Sequence, residues 1–455
     1  MKTPPRLPTT RNLLAGAFCA LAFALGAWPA LACSPPAVTL RVAPERDLVY
    51  RDGPREVIVE VEIKGAKPQE TFRTPVNLSV VLDHSGSMAG AKIEKARQAA
   101  CVALDRLEPD DTFSLVIFDN TAEVILPPER AGSREHRDEM KARIERIQPG
   151  GSTALYAGVE LGAKQVRKCF DKERVNRVIL LSDGLANVGP KNTSDLVRLG
   201  SGLRGEGLSV TTIGLGDDFN EDLMTGLAEA SHANYYYVRD AEKLPGIFGD
   251  ELGSATSRIA SEIRIRIEVP KGVRLREIIG HPEIHCEEGA AEISLPELFG
   301  SEDRLFHLRC RLDETAADTA SLASVSLSYD DLAQKERASF KNEVSVHLTC
   351  DAEKSTASVH DETARNIAVL SNRLTKEAAV KLADEGRAKE AATLLQRQII
   401  ANASAPATQQ LPGVSDENRK LEGYTRELTT KGNLDNTSRK AAQWDNYQDR
   451  YQLKR

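Results

Sequence analysis

Apolar residues recur at helical intervals in some parts of this chain and alternate with polar residues in others. Between residues 76 and 258, apolar runs of strand length alternate with segments in which apolar residues recur at helical intervals. The predicted strands are 76–82, 113–118, 123–126, 177–182, 209–215 and 235–238. The predicted helices are 92–107, 154–169, 194–203, 221–230 and 244–259. This alternation predicts an α/β fold: a doubly wound, mostly parallel sheet with helices on both faces. Asp119-Asn120 predicts a hairpin, which leaves one antiparallel strand near an edge.

Apolar and polar residues alternate with period two on both sides of this region. Residues 57–63 show the alternation before it, and residues 263–269 show it after. A period of two with one polar face is typical of half-buried antiparallel strands. We therefore predict one β-sandwich built from residues 36–70 and 259–350, with the α/β domain, residues 74–258, inserted between its two parts.

Helical spacing returns after the predicted sandwich. Residues 358–402 carry apolar residues at helical intervals on both sides of Gly386, a residue type that ends helices in the left-handed conformation. We predict a C-terminal helical hairpin there, which resembles half of a tetratricopeptide-type unit. Residues 403–455 are polar and contain Pro406 and Pro412, so we predict a polar linker followed by a weakly helical tail.

Residues 1–32 have the three parts of a secretory signal peptide. Basic residues precede an apolar stretch at 13–25 that is too short for an ordinary membrane helix, and Ala30-Leu31-Ala32 supplies the cleavage site. We predict an exported protein, located in the periplasm, outside the cell or on its surface. Cys33 follows the cleavage site, and an outer-membrane lipoprotein anchored through Cys33 is the alternative. No other segment of the sequence approaches transmembrane length.

The net charge of the chain argues against one class of function, and its cysteines supply candidates for disulfides. The 455 residues carry a formal net charge of −7, and loss of the three basic residues of the signal peptide brings the mature chain to −10. An acidic chain without a basic block argues against nucleic-acid binding, because that binding depends on neutralising phosphates. Cys286, Cys310 and Cys350 lie in β-rich sequence and are disulfide candidates whose pairing the sequence leaves open.

The candidate chemistry begins directly after the first predicted strand of the α/β domain. Asp83-His84-Ser85-Gly86-Ser87 places one carboxylate and two hydroxyls at alternate positions of a loop. Oxygen ligands of this kind suit hard divalent cations, and Mg²⁺ in particular accepts few carboxylates and keeps several waters. The loop follows the carboxyl end of a strand, which is where open α/β sheets place their sites. Strand alternation points the His84 side chain away from the ligands.

Two further segments offer matching oxygen atoms. Gly150-Gly151-Ser152-Thr153 precedes a predicted helix, and Asp183 follows another apolar strand. With these residues the sequence resembles the von Willebrand factor A domain family, whose metal-ion-dependent adhesion site uses D-x-S-x-S, a Thr and an Asp from three loops. Carried over by position, the resemblance implies that the metal ligands are Asp83, Ser85, Ser87, Thr153 and Asp183.

The resemblance also implies a function. The expected metal is Mg²⁺, with Mn²⁺ or Ca²⁺ as alternatives, and the expected partner is a protein whose Asp or Glu side chain binds that metal. The layout is similar to that of the inter-alpha-trypsin inhibitor heavy chains and of bacterial secreted A-domain proteins. We expect an adhesion or protein-binding module and no enzyme, since the sequence lacks G-x-S-x-G, Walker and His-Glu-x-x-His motifs. The alternative is a scaffolding component of a cell-envelope complex whose metal site is not essential.

An acidic segment and a histidine-containing segment also invite a metal reading. For residues 217–222 we prefer Asn220 as a helix N-cap, with acidic residues in the first helical turn. For His281 to Cys286 we prefer a turn and a strand, because the spacing of a zinc site is missing.

Overall fold

Strands from two separate stretches of the chain form one β-sandwich, and an α/β domain lies between those stretches. The computed structural model describes residues 36–67, 73–287, 289–314, 318–404 and 412–451. The predicted signal peptide and Cys33 lie outside the described residues. In the described part of the chain, no helix is both long and apolar enough to cross a membrane.

The helices and strands that the hydrophobic pattern predicts for the α/β domain appear in the structure in that order, together with elements that it did not predict. The first strands are β1 (Val38–Pro44), β2 (Leu48–Tyr50) and β3 (Glu56–Gly65). The strands of the α/β domain are β4 (Val76–Asp83), β5 (Thr112–Phe118), β6 (Ala122–Arg130), β7 (Val175–Ser182), β8 (Ser209–Leu215) and β9 (Tyr235–Val238). Its helices are α1 (Ala91–Arg106), α2 (Arg134–Ile144), α3 (Leu155–Lys168), α4 (Thr193–Gly205), α5 (Glu221–Ala230) and α6 (Leu244–Ala255). The returning strands are β10 (Arg258–Glu268), β11 (Val273–Ile278), β12 (Ala290–Phe299), β13 (Asp303–Leu312), β14 (Thr319–Asp331) and β15 (Glu336–Thr349). The last helices are α7 (Ala352–Ala357), α8 (Asp361–Asp384), α9 (Ala388–Ser404), α10 (Pro412–Lys431) and α11 (Asn436–Tyr451).

Both sheets of the sandwich combine strands from before and after the α/β domain. One sheet has the order β1-β3-β13-β11, and the other has the order β12-β10-β14-β15-β2. The strand pairs are antiparallel except for β15 with β2. Val61 of β3 lies opposite Phe306 of β13, so strands from the two stretches are direct neighbours. The predicted insertion of the α/β domain into a sandwich is confirmed.

Alternate residues of the sandwich strands fill the space between the two sheets. Val61 of β3 and Ile265 and Ile267 of β10 are fully buried in one core, whereas Arg266 and Glu268 are exposed. The period of two therefore reflects one face in the core and one in solvent.

The sheet of the α/β domain has the order β6-β5-β4-β7-β8-β9. Its strands are parallel except for β6, which pairs antiparallel with β5 through the predicted hairpin and lies at an edge. Helices α1, α2 and α6 cover one face, and α3, α4 and α5 cover the other. Every residue of β4 is buried as a result. Helix α2 was not predicted from the sequence, because only Met140 and Ile144 of its residues are buried.

A buried ion pair fixes helix α6 against the sheet. Arg177 of β7 is 2% exposed, and its Nη1 donates to Oε1 of the fully buried Glu251 at 2.6 Å. Glu251 also accepts hydrogen bonds from Thr211, Asn234 and Tyr236. Burial raises the pKa of Glu251, but Arg177 and these donors outweigh burial and lower it. The carboxylate therefore stays ionised inside the domain.

The C-terminal part of the chain is more regular than the sequence suggested. Helices α8 and α9 form the predicted hairpin, with Gly386 at a φ of +76° between them. Residues 412–451 are not a linker and a weak tail, because α10 and α11 are regular helices of 20 and 16 residues. Polar composition hid them: the fully buried Lys376 of α8 pairs with Glu417 of α10 and Asp449 of α11.

Helix α11 packs on the last strand of the α/β sheet. The ring centroid of Trp444 lies 5.8 Å from that of Tyr235 and 5.5 Å from that of Tyr236. Tyr447 is 2% exposed, and its hydroxyl donates to the carbonyl oxygen of Ala233. The C-terminal helices are thus joined to the α/β domain by both apolar and polar contacts.

The disulfide candidates are free thiols in the structure. Cys286, Cys310 and Cys350 are all unpaired among the described residues, as are Cys101 and Cys169. Cys310 faces the sandwich core, where burial raises the pKa of its thiol to about 12, and Cys350 is exposed at the end of β15. The three residues therefore occupy different environments.

The packing of α11 predicts a large loss of stability on truncation of its buried aromatic residue. Replacing Tyr447→Ala leaves a cavity and removes a hydrogen bond, so we expect the free energy of unfolding to fall by about 3–5 kcal/mol. Denaturant unfolding of the purified protein measures this change. Ile400→Ala is the control: Ile400 is 64% exposed, and its replacement should change stability by less than about 0.5 kcal/mol. Equal effects of the two substitutions would contradict the docking of α11.

Candidate metal centre

The five predicted ligands lie on three loops at one edge of the α/β sheet. Asp83 ends β4, and Ser85 and Ser87 follow it around a short 3-10 turn at Gly86–Met88. Asp183 directly follows β7, the strand next to β4 in the sheet. Thr153 stands two residues before α3. Because β4 and β7 are parallel neighbours, their carboxyl ends bring the two aspartates to the same place.

Asp83 is fully buried and fixed by two hydrogen bonds. Its Oδ1 accepts from the backbone N–H of Ser85 at 2.8 Å, and its Oδ2 accepts from the hydroxyl of Ser182 at 2.6 Å. The first contact shapes the loop after β4, since a carboxylate that accepts from the N–H two residues later stabilises a tight turn. Ser182 was not among the predicted site residues, although it directly precedes Asp183.

A row of hydrogen bonds joins the serines to the second aspartate. The hydroxyls of Ser85 and Ser87 are 3.1 Å apart, and Ser87 donates to Oδ1 of Asp183 at 2.7 Å. Lys92 of α1 donates to the other oxygen of Asp183. Asp183 is fully buried, and each of its carboxylate oxygens accepts a hydrogen bond from a side chain of the segment from β4 to α1.

Backbone contacts bring Thr153 to the same point. The Gly150 N–H donates to the carbonyl oxygen of His84 at 2.7 Å, and the Gly86 N–H donates to that of Gly151 at 3.1 Å. A Cβ atom added at Gly184 would lie 3.4 Å from the hydroxyl oxygens of both Ser87 and Thr153. These two hydroxyls therefore converge over the backbone of Gly184, beside Asp183.

Asn187 fixes the Thr153 loop from the other side. Its side-chain oxygen accepts from the Thr153 N–H at 2.8 Å, and its own N–H donates to the carbonyl oxygen of Thr153 at 3.1 Å. Sequence reasoning missed Asn187, although it lies on the same loop as Asp183. As predicted, the His84 side chain points away from the converging oxygen atoms: its Nδ1 contacts the carbonyl oxygen of Gln148 at 2.9 Å.

The donor set fits a hard divalent cation. Burial raises the pKa of Asp83, hydrogen bonds from Ser182 and Ser85 oppose that rise, and the charge of Asp183 adds to it. A divalent cation would relieve the repulsion between these two buried carboxylates. The remaining donors are neutral hydroxyls, and such all-oxygen sets suit Mg²⁺ or Ca²⁺ better than soft metals. In the described ranges, no group of three or more His, Cys, Asp or Glu residues is placed to hold a metal, and this site has two carboxylates with hydroxyls beside them.

A family model of the von Willebrand factor type A domain matches residues 77–250. These residues form a von Willebrand factor type A (VWA) domain. An uncharacterized protein of Synechocystis is 28% identical over 268 residues, which cover 57% of this chain and 62% of the relative. Bovine inter-alpha-trypsin inhibitor heavy chain H4 is 32% identical over 130 residues, 28% of this chain and 14% of that protein. This chain therefore spans less than two thirds of either relative.

A solved structure extends the similarity beyond the VWA domain. The von Willebrand factor type A protein from Catenulispora acidiphila superposes with a TM-score of 0.69 at 17% identity, covering 91% of this chain and 97% of that one. At this identity the comparison establishes the fold alone. VWA domains commonly bind a divalent metal, which agrees in kind with the oxygen donors of this domain.

The acidic segment after β8 has a structural role in the VWA domain. Asn220 caps α5 as predicted, with its side chain accepting from the Leu223 N–H at 3.1 Å. Glu221 contacts Arg439 and Lys440 of α11, which the sequence did not reveal. These acidic side chains join α11 to the VWA domain.

The buried charge of Asp83 predicts a trade-off between metal binding and stability. Because burial raises the pKa of this carboxyl group, its ionised form is disfavoured in the folded metal-free protein. Asp83→Asn should therefore stabilise the metal-free protein by about 0.5–2 kcal/mol and abolish any rise in melting temperature caused by Mg²⁺. The gain should be largest above the pKa of folded Asp83 and vanish as pH falls and that group takes up a proton.

Thermal unfolding in EDTA and in Mg²⁺, across a pH series, tests this trade-off. Asp119→Asn is the matched control: Asp119 lies on the neighbouring β5–β6 turn with a side chain that is 25% exposed. The control should keep the wild-type stability within about 0.5 kcal/mol, together with its response to Mg²⁺. A metal-free Asp83→Asn protein that is less stable than wild type would contradict the prediction.

Proposed function

We propose that this protein is exported and binds a partner protein through a divalent metal ion held by its VWA domain. The observation that carries the proposal is the convergence of two buried aspartates, Asp83 and Asp183, with hydroxyls from Ser85, Ser87 and Thr153. Mg²⁺ is the expected ion, with Mn²⁺ and Ca²⁺ as alternatives. The bound ion would supply the positive charge to which a carboxylate of the partner binds, and the proposal includes no catalytic step.

The surroundings of the site support contact with a large partner. Gly86 and Ser87 are exposed, so the site is open to solvent on that side. Leu185 lies two residues after Asp183 and is 58% exposed, so an exposed apolar side chain follows one of the two site aspartates in the sequence. A partner segment with an Asp or Glu next to an apolar residue would match both features. Such a site binds by one charged contact at its centre and apolar contact at its rim.

Export is part of the same proposal. The signal-peptide pattern supports a periplasmic, extracellular or surface location, and the lipoprotein anchored through Cys33 stays the alternative. Outside the cytoplasm, the partner would be another exported or surface protein. A scaffolding role in a cell-envelope complex would need the folded sandwich and helices and no bound metal.

Calorimetric titration of the purified protein with Mg²⁺ tests the metal site. Thr153→Ala removes one hydroxyl without changing charge, so we expect Mg²⁺ affinity to fall about tenfold or more, because a lost hydrogen bond or ligand is worth about 1–3 kcal/mol. Ser152→Ala is the matched control, since it deletes the adjacent hydroxyl outside the ligand set, and it should bind Mg²⁺ like wild type. Absent Mg²⁺ binding by wild type, or equal binding by both variants, would favour the scaffolding role.

A further inference from the structure

Lys92 places a full positive charge on one oxygen of Asp183. It lies in the first turn of α1, and its Nζ is 2.5 Å from Oδ2 of Asp183. The other oxygen of Asp183 accepts from Ser87 at 2.7 Å. Asp183 is fully buried, whereas the Lys92 side chain is 31% exposed. The pair thus connects the interior of the site to its rim.

The loop after β8 lies beside this ammonium group. Gly216 has a φ of +74°, and a Cβ atom added there would lie 3.7 Å from Nζ and 3.9 Å from Cε of Lys92. The adjacent Asp217 is engaged by the hydroxyls of Tyr237 and Thr437. Among the described residues, Lys92 forms its ion pair with Asp183.

We propose that Lys92 keeps the metal-loaded site positively charged and thereby selects an anionic group from the partner. This inference rests on the proposed metal-dependent function. Two carboxylates formally balance a divalent ion, so the ammonium of Lys92 leaves one positive charge uncompensated. A carboxylate from the partner restores neutrality. The same ammonium repels the incoming cation, so it also weakens metal binding to the empty site.

The two consequences of this charge have opposite signs. Lys92→Met should bind Mg²⁺ about tenfold or more tightly, because a unit charge near a divalent ion in a partly buried site interacts strongly with it. The same variant, once loaded, should bind a simple carboxylate several-fold more weakly. If Lys92 only stabilised the loops, its replacement would instead weaken both steps. The pair of measurements therefore separates electrostatic selection from structural support.

The first arm of the test is calorimetry with Mg²⁺ on the full chain. The second arm loads the protein with Mn²⁺ and adds acetate, following the loss of water-proton relaxation as acetate displaces water from the ion. Lys92→Arg keeps the charge and should behave like wild type in both arms. Lys95→Met is the surface control: it removes a charge from the same helix, where Lys95 pairs with Glu242, 65% exposed, at 2.6 Å.

The outcomes distinguish this inference from the function beneath it. If wild type binds no Mg²⁺, the proposed function itself fails. If wild type binds Mg²⁺ but Lys92→Met binds it no more tightly, or binds acetate as well as wild type does, the role of Lys92 is overturned and the metal site stands. Lys92→Gln, which keeps a hydrogen-bond donor towards Asp183, replaces the Met variant if circular dichroism shows that the latter is unfolded.

Discussion

The repulsion between two buried carboxylates is the constraint on which the site depends. Asp83 and Asp183 end adjacent parallel strands, so the fold places them together whatever their charge costs. The surrounding groups offset that cost: a hydroxyl and a backbone N–H donate to Asp83, and a hydroxyl and an ammonium group donate to Asp183. Burying like charges is unfavourable unless such partners are present, and a cation is the partner that opposes it most strongly.

The assignment of the five residues as metal ligands stays a prediction from the family resemblance, but the convergence of their side chains follows from local features. Asp83 and Asp183 each follow an apolar strand, and Thr153 follows two glycines before a helix, so their convergence needs only the parallel sheet. The contact between Lys92 and Asp183 was not predicted, because it depends on where α1 begins and how that helix crosses the sheet. In the sequence it resembles any lysine of an amphipathic helix. Non-local ion pairs of this kind leave no periodic signal.

The C-terminal helices show a second limit of pattern reading. Helix α10 has few apolar residues: Leu421 and Leu428 pack in a small apolar core with α8 and α9, and Glu417 pairs with the buried Lys376. Hydrophobic periodicity reveals only part of an interface that also depends on a buried ion pair. The sandwich behaved in the opposite way. The strict alternation of apolar and polar residues indicates strands with one face in the core and one face in solvent. Because this alternation occurs on both sides of the α/β domain, the sequence also predicts where that domain is inserted.

The position of Trp444 has a consequence for how molecules of this protein behave towards one another. Tyr235 and Tyr236 are consecutive residues of β9 and point to opposite faces of the sheet, yet Trp444 contacts both rings. The indole therefore lies across the open margin of the last strand in the sheet order. A strand margin left bare offers unpaired backbone groups to any extended chain that approaches it. Helix α11 covers that margin, so the segment that looked least structured in the sequence blocks an edge at which another strand could otherwise pair.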